Sequence, residues 1–161
     1  MPISRLPIVL VDTNILLRLS TPAHPLNLVA QAAVVAIKSD GKVPFICPQN
    51  MQEYRQVATR PVTANGFGMT SEDADISIGE FEQEFPLIPE TPGIYPEWRR
   101  ITRLTEAIGR ANFDARLVAI AEVANAFGVL TFESVAFARY AAVVPGLEVF
   151  DPMMLAANFK H

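Results

Sequence analysis

Apolar residues along this chain form short unbroken runs that alternate with longer stretches in which they recur every three or four positions. The run Pro7–Val11 is branched and apolar without alternation, which is typical of a parallel strand buried on both faces. Lys42–Cys47 predicts a second buried strand, in which Pro44 indicates a position near the start of the strand or at a bulge. Val129–Phe132 and Gly146–Phe150 predict a third and a fourth strand.

Helices are predicted wherever the periodicity of three to four residues holds. They cover Ile15–Leu17, Pro25–Ser39, Pro48–Thr59, Ser71–Glu84, Tyr95–Ile108 and Asn112–Phe127. We expect Gly109 and Gly128 to end the last two helices, and Arg60–Thr70 to be a loop because it is rich in Gly, Pro and Asn. The alternation of strands with helices predicts a three-layer α/β fold, with helices on both faces of a mostly parallel sheet of roughly four to five strands.

The length and composition indicate a globular protein with one core. The chain has 161 residues, half of them hydrophobic and 19% charged, which predicts a single domain over 1–161 and excludes a wholly disordered chain. No apolar run approaches the roughly 20 residues needed to span a membrane. Leu6–Val11 is too short for the core of a signal peptide and is followed by Asp12, so we expect a cytoplasmic protein without membrane contact.

The few cysteine and histidine residues restrict the metals that the protein can bind. There is one cysteine, Cys47, in an apolar run that indicates a core position, and there are two histidines, His24 and His161. These residues can form neither an internal disulfide nor a tetrahedral zinc site. Any bound metal would have oxygen ligands, which favours magnesium or manganese over zinc or copper.

The net charge of −4 gives little information about nucleic-acid binding. Nucleic-acid binders are usually basic, so the balance counts mildly against one. Carboxylates that await a metal ion raise the negative count of an acidic nuclease, however. The acids of the Ser71–Glu84 helix are interpreted as a solvated face; they are Glu72, Asp73, Asp75, Glu80, Glu82 and Glu84.

Four acidic residues are predicted to lie at the carboxyl end of the sheet, where ligands bind in parallel α/β folds. Asp12 follows the first strand, and Glu53 lies one turn into the helix after the second strand. Asp114 lies in the first turn of the long helix before the third strand, and Glu133 follows that strand. Carboxylates this close repel one another, and a divalent cation would offset the repulsion and activate a water for attack on a phosphodiester.

Each of these acids also has a purely structural interpretation. Asp12 precedes Thr13 and Asn14, a sequence suited to capping a helix, and Asp114 in a first turn is favoured by the helix dipole. Glu53 taken alone would be a solvated helix residue. Thr13 and Asn14 would either orient a water at the metal or serve only the start of the helix.

Four segments of the chain resemble the PIN-domain family, and in particular the VapC-type toxins of type II toxin–antitoxin systems. These segments are IVLVDTNILLRL with Asp12, PQNMQEYRQVATRP with Glu53, NFDARLVAIAEVANAFGV with Asp114, and LTFESVAFARY with Glu133. The order and spacing of the segments agree over roughly the whole chain. Family members often have Asn or Asp after the TF pair and a further Asp before a Phe, where this chain has Glu133 and Ala136.

The resemblance implies a PIN-like fold and an Mg²⁺- or Mn²⁺-dependent endoribonuclease that acts as the toxin of a toxin–antitoxin pair. Asp12, Glu53, Asp114 and Glu133 would be both its metal ligands and its catalytic residues. It further implies an RNA substrate, a cognate antitoxin as partner and a homodimer. The alternative is a PIN-fold binding or regulatory protein in which catalysis is weakened or lost, and Ala136 is the residue that favours it.

Substrate contacts are expected from cations and polar groups near the acids. Asn14, Arg60 and Arg116 are the main candidates for substrate contacts. Further candidates to contact RNA phosphates are Arg18, Arg55 and Arg139. Arg116 follows Asp114 by two positions, so on a helix it points elsewhere and a salt bridge outside the site is the alternative. No aromatic-basic pattern for base stacking is evident.

Two other enzyme classes fit the sequence poorly. A haloacid-dehalogenase site also has an Asp after the first strand but needs a second Asp at position 14, where this chain has Asn14. A receiver domain needs paired acids at the end of that strand. Neither a phosphate-binding GxxxxGK[ST] loop nor a GxGxxG fingerprint is present, so nucleotide-cofactor functions are excluded.

Overall fold

The computed structural model describes residues 4–158, and its centre is a parallel sheet. The strands are β1 (Leu6–Val11), β2 (Val43–Phe45), β3 (Ala126–Leu130) and β4 (Glu148–Phe150). They are arranged in the order β2-β1-β3-β4, and each neighbouring pair is parallel. The predicted parallel α/β sheet is confirmed, and β1 occupies an interior position between β2 and β3.

Eight helices of at least seven residues surround the sheet in the described part of the chain. They are α1 (Thr13–Leu19), α2 (Asn27–Ser39), α3 (Pro48–Thr59), α4 (Ser71–Glu84), α5 (Ile94–Thr105), α6 (Ala111–Val123), α7 (Ser134–Ala141) and α8 (Pro152–Asn158), with a 3₁₀ turn at Val62–Ala64. The bounds of α3 and α4 agree with the prediction, and the Thr70 side chain caps α4 by accepting from Asp73 N. The acids of α4 are exposed, as predicted for a solvated face.

Two clusters of buried side chains pack against opposite faces of the sheet. In β1, Leu10 belongs to one cluster, while Val9 and Val11 belong to the other, as the two-residue period of a strand requires. The first cluster includes side chains of α5, α6 and α7, and the second includes side chains of α1 through α4. Helices therefore cover both faces of the sheet, which confirms the predicted three layers.

Strand β2 lies at an edge of the sheet and is shorter than the predicted Lys42–Cys47. Pro44 is the second residue of this strand and lies opposite Val9, so it is near the start of the strand, as predicted. A proline can occupy this place because only an edge strand leaves one side without strand partners. Just beyond the strand, Ile46 forms an isolated parallel bridge with Leu87, so the chain around Leu87 lies beside the end of β2.

The predicted ends of the last two long helices are wrong. Helix α5 ends at Thr105 because Glu106 adopts a left-handed conformation with φ 54°, before Gly109 is reached. Helix α6 ends at Val123, and Asn125 with φ 54° turns the chain into β3. Gly128 is therefore a residue of β3 and not a helix stop.

Glycine is required at position 128 by the close approach of the neighbouring strand. A Cβ there would lie 2.5 Å from the carbonyl oxygen of Glu148 and 2.8 Å from the ring of Phe150, both in β4. The predicted third strand, Val129–Phe132, is consequently shifted to Ala126–Leu130. Across residues 4–158, no helix combines the length and hydrophobicity that a bilayer crossing requires.

Candidate active site

A cavity of about 1,160 Å³ opens beyond the carboxyl ends of β1 and β3. All four predicted acids line it: Asp12, Glu53, Asp114 and Glu133. The cavity is also lined by the three main candidates for substrate contacts, which are Asn14, Arg60 and Arg116. The fold therefore brings together side chains from four separate segments, at the end of the sheet where the sequence predicted them.

Asp12 directly follows β1 and is buried, with 6% of its surface exposed. One of its carboxylate oxygens accepts from Thr13 N at 2.7 Å, and the other accepts from Thr131 Oγ1 at 2.7 Å. Burial raises the pKa of Asp12 from 3.8 to about 7, and the carboxylates of Asp114 and Glu53 add to the rise against the hydrogen bond from Thr131. Asp12 therefore caps α1 and also contributes charge to the cavity.

Glu53 is held against the start of α1 by a short hydrogen bond. Thr13 Oγ1 donates to Glu53 Oε1 at 2.7 Å, while Asn50 Nδ2 donates to Thr13 Oγ1 at 3.1 Å and to Val11 O at 3.0 Å. Asn50 is completely buried, so it anchors α3 to the end of β1. Because this anchor fixes the helix, Glu53 is held in the same cavity as Asp12.

Asp114 lies in the first turn of α6 and is half-buried. Burial raises its pKa from 3.8 to about 6, and the carboxylates of Glu133 and Glu53 contribute to the rise, against the lowering effect of Arg110. Asp12 and Asp114 thus both lie in surroundings that disfavour their negative charge. A cation in the cavity would relieve this effect at both residues.

Glu133 is the least enclosed of the four acids. It is exposed at the position before α7, and its backbone N donates to Thr131 Oγ1 at 2.9 Å. Ala136 lies in the first turn of α7 and does not line the cavity. From this segment, Glu133 is therefore the residue that brings a carboxylate to the cavity.

Thr131 joins three parts of the site and was not identified from the sequence as a site residue. Its hydroxyl donates to Asp12 Oδ2 and accepts from Asn14 Nδ2 at 3.2 Å and from Glu133 N at 2.9 Å. This arrangement uses its one donor and both acceptor positions. Asn14 Oδ1 also accepts from Phe132 N at 3.3 Å, so the Asn14 side chain ties α1 to the end of β3.

The arginines divide into those at the cavity and those away from it. Arg18, Arg60 and Arg116 line the cavity, whereas Arg55 and Arg139 do not. Arg55 donates to Ser71, and Arg139 donates to the carbonyl of Thr105. Several further lining residues were not identified from the sequence, and Gln49, Glu90 and Arg110 are among them.

Arg116 forms a salt bridge, which was one of the two alternatives predicted for this residue. Its Nη2 lies 2.8 Å from Glu90 Oε2, and its Nη1 donates to Gln49 Oε1 at 2.9 Å. Glu90 itself lines the cavity, so the pair lies at the site and not outside it. Arg60 donates to Asn65 O at 3.0 Å, within the loop that forms another part of the cavity wall.

The donor atoms around the cavity fit a cation that prefers oxygen ligands. Asp12, Glu53, Asp114 and Glu133 offer carboxylates, while Cys47 is buried in the core as predicted, and burial raises its pKa to about 11. Between residues 4 and 158, no three carboxylate, imidazole or thiol groups are already close enough to hold an ion. Asp12 and Glu53 instead direct oxygens at Thr131 and Thr13.

Comparison with known proteins gives matches in structure but not in sequence. Neither protein-family models nor curated proteins match the chain. The crystal structure of VapBC2 from Rickettsia felis, bound to a DNA fragment from their promoter, contains a similar chain with a TM-score of 0.65. The identity is 14%, and the match covers 89% of this chain and 98% of that one.

Two further solved structures show the same likeness. The crystal structure of FitAcB from Neisseria gonorrhoeae matches with a TM-score of 0.59 and 18% identity over 90% of this chain and 98% of that one. The structure of FitAB bound to an IR36 DNA fragment matches with a TM-score of 0.58 and 20% identity over 89% and 94%. At these identities the likeness establishes the fold, and the PIN-like three-layer architecture is confirmed.

Proposed function

We propose that this protein is a metal-dependent endoribonuclease that hydrolyses RNA phosphodiester bonds. The observation that supports the proposal most directly is the shared cavity of Asp12, Glu53, Asp114 and Glu133. Burial, together with the neighbouring carboxylates, raises the pKa of Asp12 and of Asp114, so the negative charge of both groups is disfavoured unless a cation compensates it. Mg²⁺ or Mn²⁺ would provide the missing positive charge.

In this proposal the four carboxylates would hold the cation and would also be the catalytic residues. The chemistry that such a cation supplies when bound is activation of a water and neutralisation of charge on the leaving oxygen. Thr131 and Thr13 would keep the carboxylates of Asp12 and Glu53 oriented through their hydrogen bonds. Arg18, Arg60 and Arg110 would meet the phosphates of the RNA.

The charge around the cavity is compatible with a polyanionic substrate. Five acids and four arginines line the cavity, a formal charge of −1 that a single divalent cation converts to +1. The overall charge of −4 therefore does not describe the surface that RNA would meet. The additional lining acid is Glu90, which is paired with Arg116.

We further propose that the protein is the toxin of a toxin–antitoxin pair, acting in the cytoplasm as a homodimer. This rests on the resemblance of its motifs to VapC-type toxins and on the fold that it shares with chains of VapBC2 and FitAB. A cognate antitoxin would cover the cavity and keep the enzyme inactive. Copurification of the chain with the product of an adjacent small gene tests this partner.

The decisive experiment for catalysis is cleavage of RNA by the purified chain with Mg²⁺, with Mn²⁺ and with EDTA. We expect cleavage only with a metal, and a loss of at least about 100-fold in Asp12→Asn and Asp114→Asn, because removal of a ligand charge weakens the metal site. Glu82→Gln is the matched control, since Glu82 is an exposed acid of α4. Metal-independent cleavage, or full activity in both Asp variants, would contradict the proposal.

The second candidate function is a PIN-fold binding or regulatory protein with weak or absent catalysis. The specific observation that favours it is Ala136, which brings no carboxylate to the first turn of α7 while Glu133 is exposed. Such a protein would bind RNA and Mn²⁺ without cleaving the RNA. Parallel measurements of binding and cleavage on the same RNA separate the two functions.

A further inference from the structure

Gln49 connects the two helices that bring Glu53 and Asp114 to the cavity. It is the second residue of α3 and is buried, with 5% of its surface exposed. Its Nε2 donates to the carbonyl of Phe113 at 2.9 Å, in the first turn of α6, and lies 3.4 Å from Glu53 Oε2. Its Oε1 accepts from Arg116 Nη1 at 2.9 Å, one turn further along α6.

These contacts fix the orientation of the Gln49 amide without ambiguity. A guanidinium can only donate hydrogen bonds, so the oxygen of the amide must face Arg116. A backbone carbonyl and a carboxylate can only accept, so the amide nitrogen must face Phe113 O and Glu53. All three partners are therefore satisfied by one orientation, and the opposite orientation would lose every one of these contacts.

The Arg116 guanidinium is in turn held in place from its other side. Its Nη2 forms the salt bridge with Glu90, which lies in the segment between α4 and α5. The chain of contacts therefore runs from Glu90 through Arg116 and Gln49 to Glu53. A buried amide with this many directed contacts is held in one position, and its contact with Glu53 restricts where the carboxylate of Glu53 can lie.

We propose that Gln49 is a positioning residue that sets the separation of Glu53 and Asp114, so that the two carboxylates can share one divalent cation. The inference rests on the proposed function and deepens it, because it names a residue that orients two of the proposed metal ligands without binding the metal itself. Arg116 takes part in the same positioning, since its guanidinium donates to Gln49 and to both carboxylate oxygens of Glu90. Outer groups that orient metal ligands change metal affinity by about 10- to 100-fold when they are removed.

The test is Mn²⁺ titration of the intact chain, measured by the paramagnetic signal of free Mn²⁺, together with RNA cleavage across a range of Mn²⁺ concentrations. Gln49→Met preserves the length of the side chain and removes its polar contacts. We expect about 10- to 100-fold weaker Mn²⁺ binding, and cleavage that recovers at high Mn²⁺. Gln83→Met is the matched control, because Gln83 is exposed on α4 and lies outside the cavity.

A second variant guards against a simple loss of folding. Gln49→Glu keeps an acceptor for Arg116 but cannot donate to Phe113 O and repels Glu53, so Mn²⁺ binding should again weaken. Circular dichroism of each variant in EDTA reports whether the fold is retained. Wild-type Mn²⁺ affinity in both folded Gln49 variants would overturn the inference.

A double substitution distinguishes a positioning role from a general structural one. If Gln49 acts through Glu53, adding Gln49→Met to Glu53→Gln should change Mn²⁺ affinity by less than about twofold, because coupled residues are not additive. A further tenfold loss in the double variant would overturn the positioning role while leaving the proposed function intact. Failure of the wild-type chain to bind Mn²⁺ at all would instead overturn the proposed function, and this inference with it.

Discussion

Asp12 combines a buried carboxylate with two acidic neighbours, and its pKa of about 7 follows from that combination. The hydrogen bonds from Thr13 N and Thr131 Oγ1 stabilise its charged form but do not outweigh burial. A group whose pKa is higher in the folded state than in the unfolded state stabilises the fold while it is protonated. This contribution is complete below pH 4 and is lost as the pH rises to about 7.

The metal-free protein should therefore lose stability between pH 4 and pH 7, and Asp12→Asn should remove the part of that loss that Asp12 causes, leaving the part caused by Asp114. The rise in pKa from 3.8 to about 7 corresponds to a free energy on the order of 4 kcal/mol. Urea denaturation in EDTA at pH 4 and pH 8 measures the effect. Asp75→Asn is the control, because Asp75 is exposed on α4. An unchanged pH dependence in Asp12→Asn would contradict the assignment.

Ala136 offers a gain-of-function test at the same scale. Ala136→Asp adds a carboxylate in the first turn of α7, next to Glu133, and we expect roughly tenfold faster RNA cleavage because an added ligand charge strengthens the cation site. The measurement is the cleavage rate at a fixed Mg²⁺ concentration. Ala138→Asp, which places the same acid at an exposed position two residues on, should leave the rate unchanged. Equal or slower cleavage in Ala136→Asp would show that Glu133 already fills the fourth role.

At the scale of elements, the approach of β4 to β3 depends on one missing side chain. Gly128→Ala should destabilise the protein by about 1–3 kcal/mol, because the new Cβ meets the backbone of Glu148 and not a flexible side chain. Gly79→Ala in α4 is the matched control, since nothing lies within 4 Å of its Cβ position, and it should stabilise by about 0.5–1 kcal/mol. Denaturant unfolding measures both. A neutral Gly128→Ala would mean that β3 and β4 separate easily.

The elements that the sequence predicted well are those with strong local signals. Helices α3 and α4 begin at Pro48 and after Thr70, which are start signals that act locally. Gly128 misled the prediction because an isolated glycine after a helical pattern resembles a helix stop, whereas it is required by β4, about 20 residues later. A contact of this kind between strands leaves no mark in the local pattern.

The candidate site shows the same division between local and distant information. Asp12, Asp114 and Glu133 could be predicted because each follows a strand or lies in the first turn of a helix, and parallel strands bring such positions together. Glu53 lies in the second turn of α3 and was identified by the resemblance of its segment to the PIN-domain family. Thr131 and Gln49 could not be predicted, because each is an ordinary polar residue until its partners are known. The salt bridge of Arg116 was predicted only as an alternative, since Glu90 lies in a segment without periodicity.

At the scale of the whole molecule, metal binding and folding should be linked. Mn²⁺ at about 100 times its dissociation constant should stabilise the chain at pH 8 by about 2.7 kcal/mol. The gain should be smaller below pH 6, because protons compete with the metal at Asp12 and Asp114. Thermal unfolding with Mn²⁺ and with EDTA measures the gain, and Asp114→Asn should abolish it. Equal stabilisation of Asp114→Asn would place the metal elsewhere.

The order in which a ribosome makes this chain delays the appearance of the cavity. Asp12 is synthesised well before the residue whose hydroxyl orients its carboxylate, because Thr131 lies 119 positions later. The strand that precedes Asp12, β1, also pairs on one side with the late strand β3. At roughly 5–20 residues per second, translation needs about 6–24 s to cover that interval. The cavity therefore cannot be assembled until most of the chain has been made, so if the proposed activity is correct, an inhibitor has this interval in which to be present before cleavage can begin.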